Sequence, residues 1–436
     1  MNYKIKFTEK VYSELNHYLF KLSPKENGCF ILGNKIGKLI FITQIYYPEK
    51  ENWVIRDLDL CSPTSDYISS ACLKADILNK VLIFVHSHPE VNHPSMFSEL
   101  DIYSNAKLFN NLKDILSTPI GSFVFSKKGI HGVLYYKSAY IEIDSYTILG
   151  KTFQKITDQS YKPYYPKSTD SKFDRQLRFI KKTDFNSLQV LKIAIVGLGG
   201  IGSPLAVMLA KMGVQNLSFF DFDKVEIHNL PRIYGANEND IGKYKIEVVK
   251  NHINTFSKCK INTYPVKIDN SHDRFKEFDV IYGCLDNHTA RAILNTISCS
   301  LAIPYIDAGC AIPLDEESNV IQAITALTTV MPCNPCLWCS NVINPMIIME
   351  ENLSKKELKQ RKQDGYTQKV EKAPSIITLT TAVATMAANR LLNLVGIFSE
   401  NYPVRVIYDF NESMMVEPDI SINNKCSCQK ESPFNK

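Results

Sequence analysis

The feature that most constrains this 436-residue sequence is the run LKIAIVGLGGIGS, which begins at Leu191. An apolar strand there leads into a glycine-rich turn that opens a helix, so that backbone N–H groups and the positive helix end face an anion. A carboxylate at the end of the next strand can accept hydrogen bonds from ribose hydroxyls. The pattern predicts an α/β domain with a parallel-rich sheet and a nucleotide site at Gly197, Gly199, Gly202 and Asp221. Taken alone, it would favour NAD.

The residues around this turn favour a different nucleotide. Arg232 and Lys245 bring positive charge behind the second strand, Arg175 precedes the turn, and Asp286 ends a later strand. A carboxylate that attacks the α-phosphate of ATP meets a repulsion of roughly 4 kcal/mol per pair of unit charges at about 4 Å, with an effective dielectric near ~20. The three cations could offset this repulsion, and Asp286 with the triphosphate could hold Mg²⁺. Hydride transfer would need none of these charges, so the set indicates ATP and Mg²⁺.

In this order, the motifs resemble the adenylating domain of ubiquitin-activating-type enzymes, in particular the ThiF/MoeB-like adenylyltransferases that activate bacterial sulfur carriers. The resemblance covers residues 171–430. It implies that Arg175, in FDRQLR, is an arginine finger that reaches the ATP of a partner subunit, and hence that the protein is a homodimer. It also implies catalytic roles for Arg232 and Lys245, whereas Ile233 stands where glutamine is usual. The positions that it assigns to nucleotide binding are Gly197, Gly199, Gly202, Asp221, Asp223, Asn229 and Asp286.

A second constellation lies nearer the N-terminus. HSHP follows an apolar strand, so His86 and His88 can point their imidazoles at one cation, and Asp101 from the next helix can complete three protein ligands. Zinc with three such ligands and a water is the arrangement of a hydrolase, because the ion lowers the pKa of the water from about 15.7 toward ~7. Glu26, just before a strand, is the candidate general base, and Ser98 can donate a hydrogen bond to the developing oxyanion.

Together these residues resemble the JAMM (JAB1/MPN) metalloisopeptidase family over residues 1–145. Members of that family cleave bonds that follow the C-terminal glycines of ubiquitin-like proteins. The resemblance implies a catalytic zinc on the two histidines and the aspartate, with Glu26 as acid and base and Ser98 as oxyanion donor. The nine residues between His88 and Ser98 are more than is usual in the family. An enlarged loop that contains His93 could displace the aspartate or close the site.

Two groups of cysteines near the C-terminus predict a second zinc. Four thiolates make a tetrahedral structural site, and the resemblance to the adenylyltransferases implies one pair from each group. PCNPC and PCLWC fit the first pair comparably well, so either Cys333 or Cys339 would be left over. A spare thiol could accept the acyl group as a thioester, but residues 342–372, the expected crossover loop, contain no cysteine, so the reaction could stop at the acyl-adenylate. Cys299 has the pattern of a small buried residue. The grouped residues are Cys333, Cys336, Cys339, Cys426 and Cys428.

Composition limits the partners and the compartment. The net charge of +5 is too small to drive binding to nucleic acid or anionic lipid. No run approaches the ~20 apolar residues of a membrane span, and charges interrupt the first twenty residues, so we expect a soluble, cytoplasmic protein. The Lys-, Tyr-, Pro- and Ser-rich segment 146–170 predicts a linker. We therefore expect an α+β domain at 1–145 and an α/β Rossmann-like domain at 171–430.

The two predicted sites are chemically compatible. Cleavage at the first would free a glycine carboxylate, and adenylation at the second would consume one. The leading hypothesis is a bifunctional enzyme that processes a ubiquitin-like or sulfur-carrier protein and activates its C-terminal glycine. One alternative is adenylation of a small peptide or metabolite, with the N-terminal domain as a clamp. Another is a non-catalytic scaffold for ubiquitin-like proteins, and an NAD-dependent dehydrogenase is the most remote.

Overall fold

The structure is a computed structural model that describes residues 2–58, 60–90, 96–157, 171–269, 271–332, 334–363 and 374–435. The chain forms two compact units, Met1–Lys167 with Pro433–Lys436, and Ser168–Ser432. Each unit contains its own eight-stranded sheet. None of the helices in the described ranges combines the length and the apolar character that crossing a lipid bilayer requires.

The first unit is built on a sheet whose strands follow the order β1-β3-β2-β6-β7-β8-β9-β10. Its elements are β1 (Tyr3–Thr8), α1 (Glu9–Phe20), β2 (Gly28–Ile36), β3 (Leu39–Tyr46), β4 (Trp53–Arg56), β5 (Cys61–Pro63), α2 (Ser65–Ile77), β6 (Val81–Ser87), α3 (Glu99–Leu112), β7 (Ile120–Ser126), β8 (Gly129–Tyr136), β9 (Ala139–Leu149) and β10 (Phe153–Thr157). Because β1 pairs with both β3 and β9, the sheet closes on itself.

Strand β6 lies in the middle of this sheet and is buried along its whole length. Its alternate side chains enter two cores: Val81, Ile83 and Val85 contribute to one, and Leu82 and Phe84 to the other. This explains why the sequence reads as a continuous apolar run rather than an alternating one, since both faces of the strand are covered. The strand therefore presents the residues at its end, HSHP, at a fixed place.

The predicted linker at 146–170 differs from the structure in its first part. Residues 146–149 complete β9, and residues 153–157 form β10, which pairs with it. Tyr146, Ile148 and Phe153 are buried there, and Tyr146 belongs to the same core as Val81, Ile83 and Val85. The interspersed polar residues conceal this apolar set in the sequence. The remaining residues of the predicted linker, 158–170, lie outside the described part.

The second unit contains a doubly wound sheet with the order β13-β12-β11-β14-β15-β16-β17-β18. Its elements are α4 (Asp174–Leu177), α5 (Lys182–Val190), β11 (Lys192–Val196), α6 (Gly202–Met212), β12 (Asn216–Phe220), α7 (Lys245–Asn254), β13 (Lys260–Tyr264), β14 (Val280–Gly283), α8 (His288–Leu301), β15 (Tyr305–Ala311), β16 (Ile324–Val330), α9 (Pro345–Glu351), α10 (Lys355–Gln363), α11 (Ile377–Leu394), β17 (Arg405–Asp409), β18 (Met414–Val416) and α12 (Ser427–Glu431).

The parallel part of this sheet determines where the site lies. Strands β13, β12, β11, β14 and β15 run parallel, and β16 to β18 are antiparallel. Between β11 and β14 the strand order reverses direction, which makes a crevice beyond the carboxyl ends of the strands. The glycine turn follows β11, Asp221 follows β12 and Asp286 lies just beyond β14, so all three are at this edge.

Candidate functional site

The glycine turn after β11 requires glycine for steric reasons at two positions. Gly197 has φ +89, and a Cβ there would lie 2.4 Å from the Cys284 carbonyl oxygen. A Cβ on Gly202 would lie 1.8 Å from the Gly197 carbonyl oxygen. The turn is thus folded tightly against the end of β14. Gly197 N and Leu198 N donate hydrogen bonds to Phe220 O and Asp221 Oδ2, so it is the N–H groups further along the turn and at the start of α6 that can face an anion.

Asp221 connects the turn to the next strand. It is 9% exposed, its Oδ2 accepts a hydrogen bond from Leu198 N at 2.7 Å, and its Oδ1 accepts one from Asp223 N at 2.8 Å. Burial raises the pKa of this carboxyl, while the nearby Lys245 ammonium and these two N–H groups act in the opposite direction. The side chain therefore organises the turn, in addition to the ribose contact that the sequence predicts for it.

The predicted cations lie beside the turn. Lys245 Nζ is 2.7 Å from Asp223 Oδ2, so the lysine is held by the acidic pair. Arg232 crosses above the turn, since a Cβ on Gly200 would lie 3.3 Å from Arg232 Cδ. The Asn229 side chain accepts a hydrogen bond from Glu226 N at 3.1 Å and supports the 3₁₀ turn before the arginine. The structure thus brings together most of the predicted nucleotide-site residues.

The other predicted residues of this site lie further out. Asp286 is exposed beyond β14, at the same edge of the sheet. Ile233, at the position where glutamine was expected, is buried. Arg175 is exposed on α4, and its role in the site of a partner subunit stays a prediction.

Sequence reasoning missed two groups of residues close to Asp286. A buried ion pair joins Arg291 Nε to Asp307 Oδ1 at 3.4 Å, and Tyr305 donates a hydrogen bond to the same oxygen at 2.9 Å. Burial lowers the pKa of the Arg291 guanidinium, but the combined effect of Asp307, Tyr305, Asp286 and Cys284 is larger, so the pKa is raised. Glu351 of α9 accepts hydrogen bonds from the first two N–H groups of α8, at 3.0 and 2.8 Å. No local sequence pattern pairs residues so far apart in the chain.

Four cysteines near the C-terminus form a compact cluster. The Sγ atoms of Cys336 and Cys426 lie 3.5 Å apart, and Cys339 Sγ lies 3.9 Å from both Cys336 Sγ and Cys428 Sγ. A tetrahedral site with Zn–S bonds of about 2.3 Å has S–S edges of about 3.8 Å, so these residues fit a structural zinc. Of the two predicted alternatives, Cys339 is in the cluster, and Cys333 lies outside the described residues.

Cys299 of α8 is placed differently from the sequence-based expectation. It is half-buried, and a hydrogen bond from its thiol is the main cause that lowers the pKa of Cys336 to about 4. The fifth thiol at the cluster is therefore a residue that lies far from both cysteine groups in the sequence. A cysteine within an amphipathic helix carries no signal for such a contact.

The N-terminal constellation also converges. His86 Nε2 lies 3.1 Å from Asp101 Oδ1, and His88 Nε2 lies 3.3 Å from both Asp101 Oδ2 and Glu26 Oε1. Both ring nitrogens of His86 are buried and, among the described residues, neither is at an angle that makes a hydrogen bond. Burial raises the pKa of Asp101, but the two imidazoles outweigh it and hold the value well below its usual range. Ligand atoms of Glu26, His86 and His88 all lie within 4.8 Å of one another, a spacing that fits a zinc ion, so the predicted general base is as close to the two imidazoles as a ligand would be.

Ser98 caps the helix that carries Asp101 and hydrogen-bonds to that carboxylate. It is the N-cap of α3, and its hydroxyl donates a hydrogen bond to Asp101 Oδ2 at 2.8 Å, while Ser98 N donates to the same oxygen at 2.7 Å. The oxyanion role implied for Ser98 stays a prediction. Asp101 meets both histidines, so the enlarged loop does not displace it. His93, in that loop, lies outside the described residues.

Comparison with known proteins identifies the second unit. The family model of the ThiF family matches residues 173–430. Ubiquitin-like modifier-activating enzyme 5 from Aedes aegypti is 26% identical over 270 residues, which are 58% of this chain and 63% of that protein. The adenylyltransferase and sulfurtransferase UBA4 from Debaryomyces hansenii is 26% identical over 206 residues, which are 47% of this chain and 42% of that protein. This chain thus spans less than two thirds of the length of these relatives.

Solved structures are similar at lower identity. A crystal structure of E. coli MccB with MccA-N7isoASN is 20% identical, with a TM-score of 0.49, over 62% of this chain and 76% of that one. The family match confirms the resemblance that the glycine turn and its neighbouring motifs predicted for the second unit. Because that match covers more than half of the residues, the chain belongs to the ThiF family.

Proposed function

We propose that this protein uses ATP to adenylate the C-terminal glycine carboxylate of a ubiquitin-like or sulfur-carrier protein. The observation that carries the proposal is the convergence of the glycine turn, Arg232 and Lys245 at the switch point of the second sheet, with Asp286 exposed at the same edge. Names among the relatives, a ubiquitin-like modifier-activating enzyme and an adenylyltransferase and sulfurtransferase, support a carrier protein as the substrate.

The proposed reaction is a displacement at the α-phosphate. The carboxylate oxygen attacks phosphorus, the bond to the β-phosphate breaks, and the products are an acyl-adenylate and pyrophosphate. The N–H groups of the turn bind phosphate oxygens, and Arg232 above the turn offsets the charge of the approaching carboxylate. Asp286 would hold Mg²⁺, which when bound neutralises charge on the triphosphate. Asp223 keeps the Lys245 ammonium directed at this edge.

Pyrophosphate exchange into ATP tests this proposal. Wild-type protein should catalyse exchange with a carrier protein that ends in Gly-Gly, and Asp286→Asn should lower the rate by about 100-fold or more. Asp419→Asn, an exposed residue of the same unit, is the matched control. Exchange with free short peptides alone would favour the peptide alternative. Exchange that Asp286→Asn leaves unchanged would refute the assignment of the site.

We further propose that the N-terminal cluster hydrolyses the amide bond that follows the same glycine. Support comes from the two imidazoles and two carboxylates that meet within hydrogen-bonding distances in a buried setting. His86, His88 and Asp101 would hold zinc, which when bound supplies a Lewis acid. Glu26, 5% exposed, would take the proton of the attacking water and pass it to the leaving amine. The freed carboxylate would then be the substrate for adenylation.

The hydrolytic proposal has its own test, with metal content and cleavage measured on the same samples. Glu26→Gln should retain zinc and lose cleavage of a fusion protein linked through Gly-Gly, because it removes only the proton carrier. His86→Ala should lose both. Glu99→Gln, an exposed carboxylate on α3, is the control and should retain both. A zinc-loaded protein that leaves every Gly-linked fusion intact would contradict the proposal.

A further inference from the structure

A cavity of about 350 Å³ lies in the first unit, between α3 and the strands β8 and β9. Phe97 and Asn105 line one side, and His131, Val133 and Glu142 line the other. None of these residues belongs to the cluster of imidazoles and carboxylates described above. The volume is in the range of natural ligand pockets and is enough for a large side chain.

The cavity is separated from the cluster by one side chain. The ring centroid of Phe97 lies 6.4 Å from that of His86 and 4.9 Å from that of His131. Val124 of β7 is in register with both histidines, so His86 and His131 extend from the same face of the sheet. A substrate whose scissile bond lies at His86 would therefore have its neighbouring residue at the mouth of the cavity.

We infer that this cavity binds the side chain of the residue on the amine side of the scissile bond. The inference rests on the proposed hydrolysis at the cluster. On the acyl side the substrate ends in glycines, which have no side chains, so that side cannot fill 350 Å³. The leaving segment is the part of the substrate that carries a side chain at this distance. The cavity thus provides specificity for the first residue after the glycines.

The lining indicates the chemical class of the leaving residue. Phe97, Val133 and Tyr140 provide an apolar and aromatic wall, which favours an aromatic or large aliphatic side chain. Asn105 is 6% exposed and lines the cavity. It is positioned to pair with a main-chain group of the leaving segment. Glu142, exposed on the other wall, disfavours an acidic residue there.

Cleavage of three fusions by the zinc-loaded full-length chain tests the inference. Each contains a Gly-Gly carrier followed by Phe, Ala or Asp. We expect kcat/KM for Phe to exceed that for Ala by at least about 10-fold, with Asp the slowest. Val133→Phe fills the cavity and should abolish the preference for Phe over Ala. Tyr140→Ala, which alters a 60% exposed wall residue and so should fold, should weaken it. Leu73→Phe, on the exposed face of α2, should retain it.

Binding to the metal-free protein provides a second readout that does not depend on hydrolysis. By calorimetry, the amide of Phe-Ala-Ala should bind the wild-type chain at least about 10-fold more tightly than Val133→Phe, and the amide of Asp-Ala-Ala should bind neither. Equal cleavage of the three fusions without peptide binding would overturn the inference and leave the hydrolytic function intact. Binding of the Phe peptide without cleavage of any fusion would instead refute the hydrolytic function.

Discussion

Asp221→Ala should lower both the stability of the second unit and its affinity for ATP, because this side chain organises the glycine turn. Its two carboxylate oxygens accept hydrogen bonds from Leu198 N and Asp223 N. Leu198 is fully buried, so water cannot replace the bond that its N–H group loses. Asp223 is exposed, and its N–H group can turn to solvent.

The size of the effect depends on this difference. A buried N–H group left without an acceptor costs about 1–3 kcal/mol, whereas a solvated one costs less. We therefore expect Asp221→Ala to lower the free energy of unfolding by about 2–4 kcal/mol. The alanine variant no longer buries a carboxylate, which stabilises its folded state, so we expect a loss in the free energy of unfolding near the lower end of this range. Asp221→Asn keeps one acceptor oxygen and should lose about half as much.

Urea unfolding followed by fluorescence measures the stability term, and calorimetric titration with ATP measures the binding term. Asp419→Asn is the control for loss of one exposed negative charge. The alanine variant should show the larger loss in both assays, the asparagine variant an intermediate one. If Asp221→Ala unfolds within about 0.5 kcal/mol of the wild type, the carboxylate does not hold the turn and the reasoning is wrong.

The same contacts predict three further outcomes. Gly202→Ala should destabilise the fold strongly, because its Cβ would overlap the turn. Gly199→Ala, whose Cβ meets nothing within 4 Å, should unfold at the same urea concentration as the wild type. Similar unfolding midpoints for the two variants would contradict the close packing. Cys336→Ser should remove one zinc per chain, measured by metal analysis, and lower Tm by at least about 5 °C in thermal scans. A variant that keeps its full zinc content would exclude the cysteine site. Burial raises the pKa of Asp221 from its ordinary value of 3.8, so the folded state binds the proton more tightly than the unfolded state. As pH rises above 3.8, the free energy of unfolding of the wild type should therefore fall relative to that of Asp221→Asn. A difference that stays flat or rises would refute this.

The local patterns in the sequence were sufficient for the elements that carry the candidate sites. The strand, glycine turn and helix at residues 191–212 depend on neighbours a few positions apart, and the structure has them where the pattern predicts. The same holds for the strand before HSHP, whose continuous apolar run reflects burial on both faces. The ThiF family model matches the second unit over residues 173–430, which include these motifs.

Contacts between distant parts of the chain were decided by the tertiary structure. Cys299 meets Cys336 because α8 crosses the cysteine cluster, and no spacing rule joins them. The Arg291–Asp307 pair and the cavity beside Phe97 likewise depend on how strands and helices pack. The sequence by itself determined the strands, glycine turn and helix that carry the candidate sites and the residues at their ends, since those preferences act within a few residues, but it did not reveal the end of β9 or β10. The fold decided which of these ends meet, because that depends on the burial of apolar faces along the whole chain.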